Sequence, residues 1–157
     1  VTTATQLKQG EPGDGKTTMS QTKPIKLSRY VKPLSALSAS LLYLAEEGND
    51  RLTINQAAFF LIAAAADARG RPLTPSEIVE GAGGVLNASL ANTYKVLLPP
   101  SHKEYRGIAL GWLQQEVDED DQRRKLLRLT PKGVAVMRAA LVALGQKPKD
   151  EPDGETS

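Results

Sequence analysis

Residues 118–133 read DEDDQRRKLLRLTPKG. Four carboxylates, Asp118, Glu119, Asp120 and Asp121, are followed almost at once by the cations Arg123, Arg124 and Lys125. KLLRLT, rich in leucine, reads as a short strand, and WLQQEV just upstream reads as another. The acidic turn between them makes the pair a β-hairpin. Thr130 then stands directly before Pro131. A threonine oxygen can accept from the free N–H groups of a first helical turn, and proline suits the first helical position, so a helix is predicted from there. Val134, Met137, Leu141 and Leu144 recur at helical spacing and are expected to form its apolar stripe.

Working back from the hairpin, the chain is a series of helices. Order is expected from Pro33. Leu34, Leu37, Leu41 and Leu44 make one helical stripe, ended by Gly48. The stripe reads either as a dimer seam or as a face packed on its own domain. Thr53 is a candidate N-cap for TINQAAFFLIAAAADARG, apolar nearly all round and therefore expected to be the most buried helix, closed by Gly70. Thr74, Pro75 and Glu77 have the spacing of a capping box for a short helix that stops at Gly81, Gly83 and Gly84. A second short helix, NASLANTYKVLL, is capped by Asn87 and stopped by Pro99-Pro100. Two short helices across a glycine-bearing turn outline a helix-turn-helix, the second being the recognition helix. Its apolar side is Leu90, Val96 and Leu97, with Tyr94 at the edge. Asn87, Ser89, Asn92, Thr93 and Lys95 give the small, polar or cationic surface that a groove-facing helix needs. The order α-α-α-α-β-β-α, mainly α with a small β-hairpin, is that of a winged helix-turn-helix.

Composition supports this reading. The chain has 157 residues, 40% of them hydrophobic and 4% aromatic, enough for one helix-rich domain. It holds no cysteine and one histidine, His102, which excludes a disulfide framework, a thiol nucleophile and a histidine-rich metal site. No apolar run reaches the ~18 to 20 residues that cross a bilayer, and the polar start lacks a signal-peptide core, so a cytoplasmic protein is expected. Charge is uneven. Residues 1–32 carry six Lys/Arg and two Asp/Glu, residues 33–144 are balanced, and residues 145–157 carry two and four. The expected organisation is a disordered basic arm over 1–32, a winged-helix body over 33–144 and a disordered acidic tail over 145–157.

GEPGDGKT, residues 10–17, fits the phosphate-loop pattern G-x-x-x-x-G-K-[ST]. Such a loop needs a buried strand before it and a helix after it. TATQLKQ holds a single leucine, and any helix after Thr17 meets Pro24 within two turns. The stretch is read as part of the arm. No nucleophile is paired with a base, and no two carboxylates face a plausible cleft, so no enzyme activity, cofactor or metal is expected.

Residues 118–133 closely resemble the wing and following helix start of the MarR family of bacterial transcription regulators, roughly D-x-x-D-x-R-x-K-x-x-x-L-T-x-x-G. Asp118, Asp121, Arg123, Lys125, Leu129, Thr130 and Gly133 fall on those positions, and Leu52-Thr53 with Gln56 resembles the start of the family's second helix. The resemblance spans about residues 50–144. It implies a homodimer on pseudo-palindromic double-stranded DNA, acting as a transcriptional regulator. Recognition helices would enter the major groove, with each wing in the minor groove. Arg123 would be the wing-tip arginine in the narrow groove, Asp121 would orient it, and Arg124 and Lys125 would meet phosphates. Two departures stand out. PPSHKEYRGIAL is inserted between Leu98 and Gly111, and the chain has a single helix of about 15 residues after the wing. Dimerisation is therefore expected to lean on residues 33–48 and 130–144.

Two further readings concern partners. Lys103 and Arg106, with His102 and Tyr105, form either a second basic contact or an exposed loop. The neutral body and four-carboxylate turn suit an alternative function, a winged helix that binds a protein and no DNA.

Overall fold

The computed structural model describes residues 24–49, 52–86, 94–100 and 107–146. The chain divides into two units, residues 1–31 and 32–157. In the first, the described residues hold a 3-10 turn, Leu27–Tyr30, with no buried side chain. The helix α1, Val31–Glu47, follows directly. Pro33 sits in its first turn, where backbone N–H groups have no acceptor within the helix. The elements after it are α2 (Ile54–Ala68), α3 (Pro75–Gly81), a 3-10 turn (Tyr94–Leu97), strands β1 (Leu113–Val117) and β2 (Lys125–Leu129), and α4 (Pro131–Ala143). Among the described residues, four α-helices and a two-stranded antiparallel hairpin make a mainly helical winged-helix fold.

The caps form as the sequence predicts. Thr53 Oγ1 accepts from the Gln56 N–H at 3.1 Å while Gln56 Oε1 accepts from the Thr53 N–H at 3.0 Å. Thr74 and Glu77 make the same reciprocal pair at 3.3 and 3.1 Å, with Pro75 in the first helical position. At the far end of α2, Gly70 adopts a left-handed φ of 73°, and the Arg71 N–H closes back on the Ala66 carbonyl at 3.1 Å.

The α2 helix is the centre of the molecule, and β2, α3 and the Tyr94–Leu97 turn pack on it. Phe59 and Phe60 are fully buried. The Phe59 ring stacks on Tyr94 at 5.6 Å and Phe60 meets Trp112 at 4.9 Å between centroids. Leu113 pairs with Leu129 and Val117 with Lys125 at the two ends of the hairpin. The hairpin joins the body midway along β2, where the Leu127 N–H donates to the Leu73 carbonyl at 2.9 Å. The insertion after Leu98 leaves and returns at one place. Leu110, Gly111 and Trp112 donate their N–H groups to the carbonyls of Val96, Leu98 and Leu97, at 2.7, 3.2 and 2.8 Å.

The terminal helices bury only part of their apolar stripes, and one expectation needs correcting. The helix α4 buries Gly133, Val136 and Ala140, with Met137 partly covered. The larger Val134, Leu141 and Leu144 of the expected stripe are exposed. Small residues are chosen here because α4 lies close against the chain it covers. A Cβ on Gly133 would stand 2.0 Å from the Trp112 carbonyl oxygen. Of the α1 stripe, open in sequence between a dimer seam and a face packed on its own domain, Leu44 is buried, whereas Leu34, Leu37 and Leu41 are exposed. The correction concerns Tyr94, which lies inside the core and not at its edge, and the turn Tyr94–Leu97 is 3-10 where a regular helix was expected.

Candidate nucleic-acid interface

The cations of the wing are placed by its turn. Asp118 Oδ1 accepts from the Asp120 N–H and Asp121 Oδ1 from the Arg123 N–H, each at 3.0 Å. Such bonds from an aspartate to the backbone two residues on hold a tight turn. The Asp118 N–H donates to the Arg124 carbonyl at 3.0 Å, and the Arg124 N–H to the Asp121 carbonyl at 2.9 Å, closing the loop. Asp121 therefore shapes the backbone beneath Arg123, where the resemblance implied a bond to the guanidinium. Asp118 and Asp121 are engaged in the turn itself, and no group of His, Asp and Glu among the described residues is arranged to hold a metal ion.

Arg123, Arg124 and Lys125 share one shallow cleft with Thr74, Pro75 and Ser76 at the start of α3 and with Tyr94 and Gln115, a space of about 350 Å³. Gln115 Nε2 donates to the Tyr94 hydroxyl at 3.1 Å, which forms part of the cleft wall. Arg123 and Lys125 are exposed and have no ion-pair partner among the described residues. Arg124 differs. Its guanidinium donates to Glu77 Oε1 on α3 and, at 3.0 Å, to Asp118 Oδ2. Lys95, expected on the groove-facing side, is half-buried in the 3-10 turn. Asn87, Ser89, Asn92 and Thr93 lie outside the described residues, as do Lys103, Arg106 and the stretch 10–17.

A second set of polar contacts fixes the hairpin from the other side. Asp67, near the end of α2, accepts from the Leu129 N–H at 2.9 Å and from Arg128 Nη1 at 3.0 Å. Arg128 Nε lies 2.9 Å from Glu116 Oε2 but out of line for a good hydrogen bond. The bond to Asp67, aided by the Glu116 charge, raises the Arg128 pKa above its already high ordinary value. The single sequence gives no sign of these roles for Asp67 or for the second oxygen of Glu77. The partners are 61 and 47 positions apart, and a cap motif accounts for Glu77 by itself.

Away from the wing, an apolar recess of about 210 Å³ lies between α1 and the start of α2, lined by Leu41, Leu44, Ala45, Leu52, Thr53, Ile54 and Ala57. No described helix is long and apolar enough to cross a membrane.

No protein-family model matches the chain, and no curated protein matches it. A solved structure, that of a mutant MarR from E. coli, is similar to it, with 18% sequence identity, 80% of each chain covered and a TM-score of 0.46.

Proposed function

We propose that this chain is a DNA-binding transcriptional regulator that works as a homodimer. Its recognition helix, over residues 87–98, would enter the major groove and its wing the minor groove. The observation that carries the reading is the cleft shared by the wing cations and the start of α3. Arg123 and Lys125 stand free of carboxylates among the described residues, on a hairpin tip that projects beyond its base, so both are available to an anionic backbone. Asn87, Ser89, Asn92, Thr93 and Lys95 are the proposed groove-facing residues, Arg123 the minor-groove residue, and Lys103 and Arg106 a further basic contact. The basic arm over 1–32 adds charge that is blind to sequence.

Dimerisation is part of the same proposal. The outer faces of α1 and α4 expose Leu34, Leu37, Leu41, Leu42, Val134, Leu141 and Val142. Leu34, Leu37, Leu41 and Leu42 line one continuous groove on α1 with Ser38 and Ala45. Apolar surface concentrated on two helices of a domain with a complete core of its own favours burial against a second copy.

The test is binding of the full chain to mixed-sequence double-stranded DNA across a salt series. The expected result is a linear fall of log K with log salt, with a slope of about −0.9 per phosphate neutralised. Arg123→Ala is expected to weaken binding by about 1–3 kcal/mol while the protein stays folded. No binding at low salt would overturn the reading and move the assignment to a protein partner.

A further inference from the structure

We infer that Arg124 is a positioning residue, stapling the wing to α3 through Glu77 and Asp118, and not a phosphate contact; this rests on the DNA-binding reading for its functional consequence. The hairpin's bonds to the body sit at its base, where Leu129 meets Asp67, and at its middle, where Leu127 meets Leu73 and the facing Gln115 donates to the Tyr94 hydroxyl. A two-stranded hairpin has little rigidity of its own, so the tip beyond Leu127 would flex about those ties. Arg124 closes the far end. One nitrogen holds Asp118, where β1 gives way to the turn, and the other reaches Glu77 on α3. Glu77 is itself immobilised, because its second oxygen accepts from the Thr74 N–H in the capping box at 3.1 Å. One carboxylate thus couples the start of the helix pair to the wing.

The pairing is half exposed, with 42% of the Arg124 side chain and 35% of the Glu77 side chain open to solvent. Exposed ion pairs add little to global stability. What this one supplies is direction, since the planar guanidinium fork fixes two carboxylates from different elements at once. To reach a phosphate, Arg124 would have to leave both carboxylates, which would then repel the same phosphate. Arg123 and Lys125, on either side of it, carry no such commitment, and Arg124 sets where they stand.

Glu77→Gln separates the two roles by sign. Glutamine keeps the capping box, as Gln56 does at the start of α2, but loses the charge. Removing a carboxylate beside a DNA surface should by itself tighten binding. For a positioning role, Glu77→Gln instead weakens binding to mixed-sequence duplex about three- to tenfold, with the melting temperature unchanged. Arg124→Gln weakens it similarly, and the double variant is no weaker than Arg124→Gln alone. Amide exchange at Asp118 and Arg124, whose N–H groups close the turn, rises in Glu77→Gln and stays unchanged in α2. Equal or tighter DNA binding by Glu77→Gln, or additive losses, would overturn the assignment. Should the unmodified chain bind no DNA, exchange alone decides. Faster exchange confined to the hairpin keeps the staple while the DNA reading falls, and unchanged exchange removes the staple.

Discussion

Gly133 is the most closely packed of the described glycines. It lies in the first turn of α4, and a Cβ there would press on the Trp112 carbonyl oxygen at 2.0 Å and its carbon at 2.9 Å. Both are backbone atoms and cannot swing aside. That carbonyl also accepts from the Thr130 N–H at 3.1 Å, while the Thr130 hydroxyl donates to the Gly111 carbonyl at 2.6 Å and accepts from the Gly133 N–H at 3.0 Å. Thr130 and Gly133 thus tie the chain before β1 to the helix after β2. Gly133→Ala should destabilise the protein by about 1–3 kcal/mol or more, the range for overpacking where backbone must move. A denaturant midpoint equal to that of the parent would show that α4 shifts freely. Thr130→Ala is expected to cost about 1–2 kcal/mol, since both a cap and a bond to Gly111 are lost.

At the scale of elements, the wing is held by α2 at its base and by α3 at its tip. Asp67 binds the Leu129 N–H and the Arg128 side chain. Asp67→Ala leaves that N–H without its acceptor and should cost about 1–3 kcal/mol. Asp67→Asn keeps an acceptor oxygen and should cost less. Equal losses in chemical unfolding would mean that the charge pair, and not the backbone bond, matters. What could be read from sequence follows the same division by range. Caps were legible because Thr53 with Gln56, Thr74 with Glu77, and Thr130 with Pro131 act within one turn. The hairpin was legible from its acidic turn and its leucines. The inward face of α4 was not legible, because its larger apolar residues do not mark it. Its core face is set by how closely a backbone approaches, which selects Gly133 and Ala140 and turns Val134 and Leu141 outward. For the candidate site, the wing residues were legible in position, but the ties of Arg124 to Glu77 and of Arg128 to Asp67 cross the fold and leave no local pattern.

For the whole molecule, the interior and exterior of the terminal helices are mismatched. Ser40 and Leu44 are the buried residues of α1, with Tyr43 beside them half-covered, while its four other leucines and Val31 are exposed. In the proposed dimer these leucines become core. Leu37→Glu combined with Leu141→Glu should convert the sedimenting species from two chains to one, with helix content retained. DNA affinity should then fall steeply, because two linked half-sites bind with the effective concentration of a tether. A parent protein that sediments as a single chain at micromolar concentration would overturn the dimer.

The hydroxyl of Ser40 donates to the carbonyl of Ala140 at 3.0 Å, across 100 positions of chain. This contact has a consequence for biosynthesis. On the ribosome, α1 is made well before α4, and it must wait for nearly the whole body before its partner exists. The α2 core and the hairpin can assemble in the interval, while the Ser40 hydroxyl lacks its acceptor. Loss of α4 by a premature stop would leave Ser40 permanently in that nascent condition, a buried-site hydroxyl whose acceptor is never made.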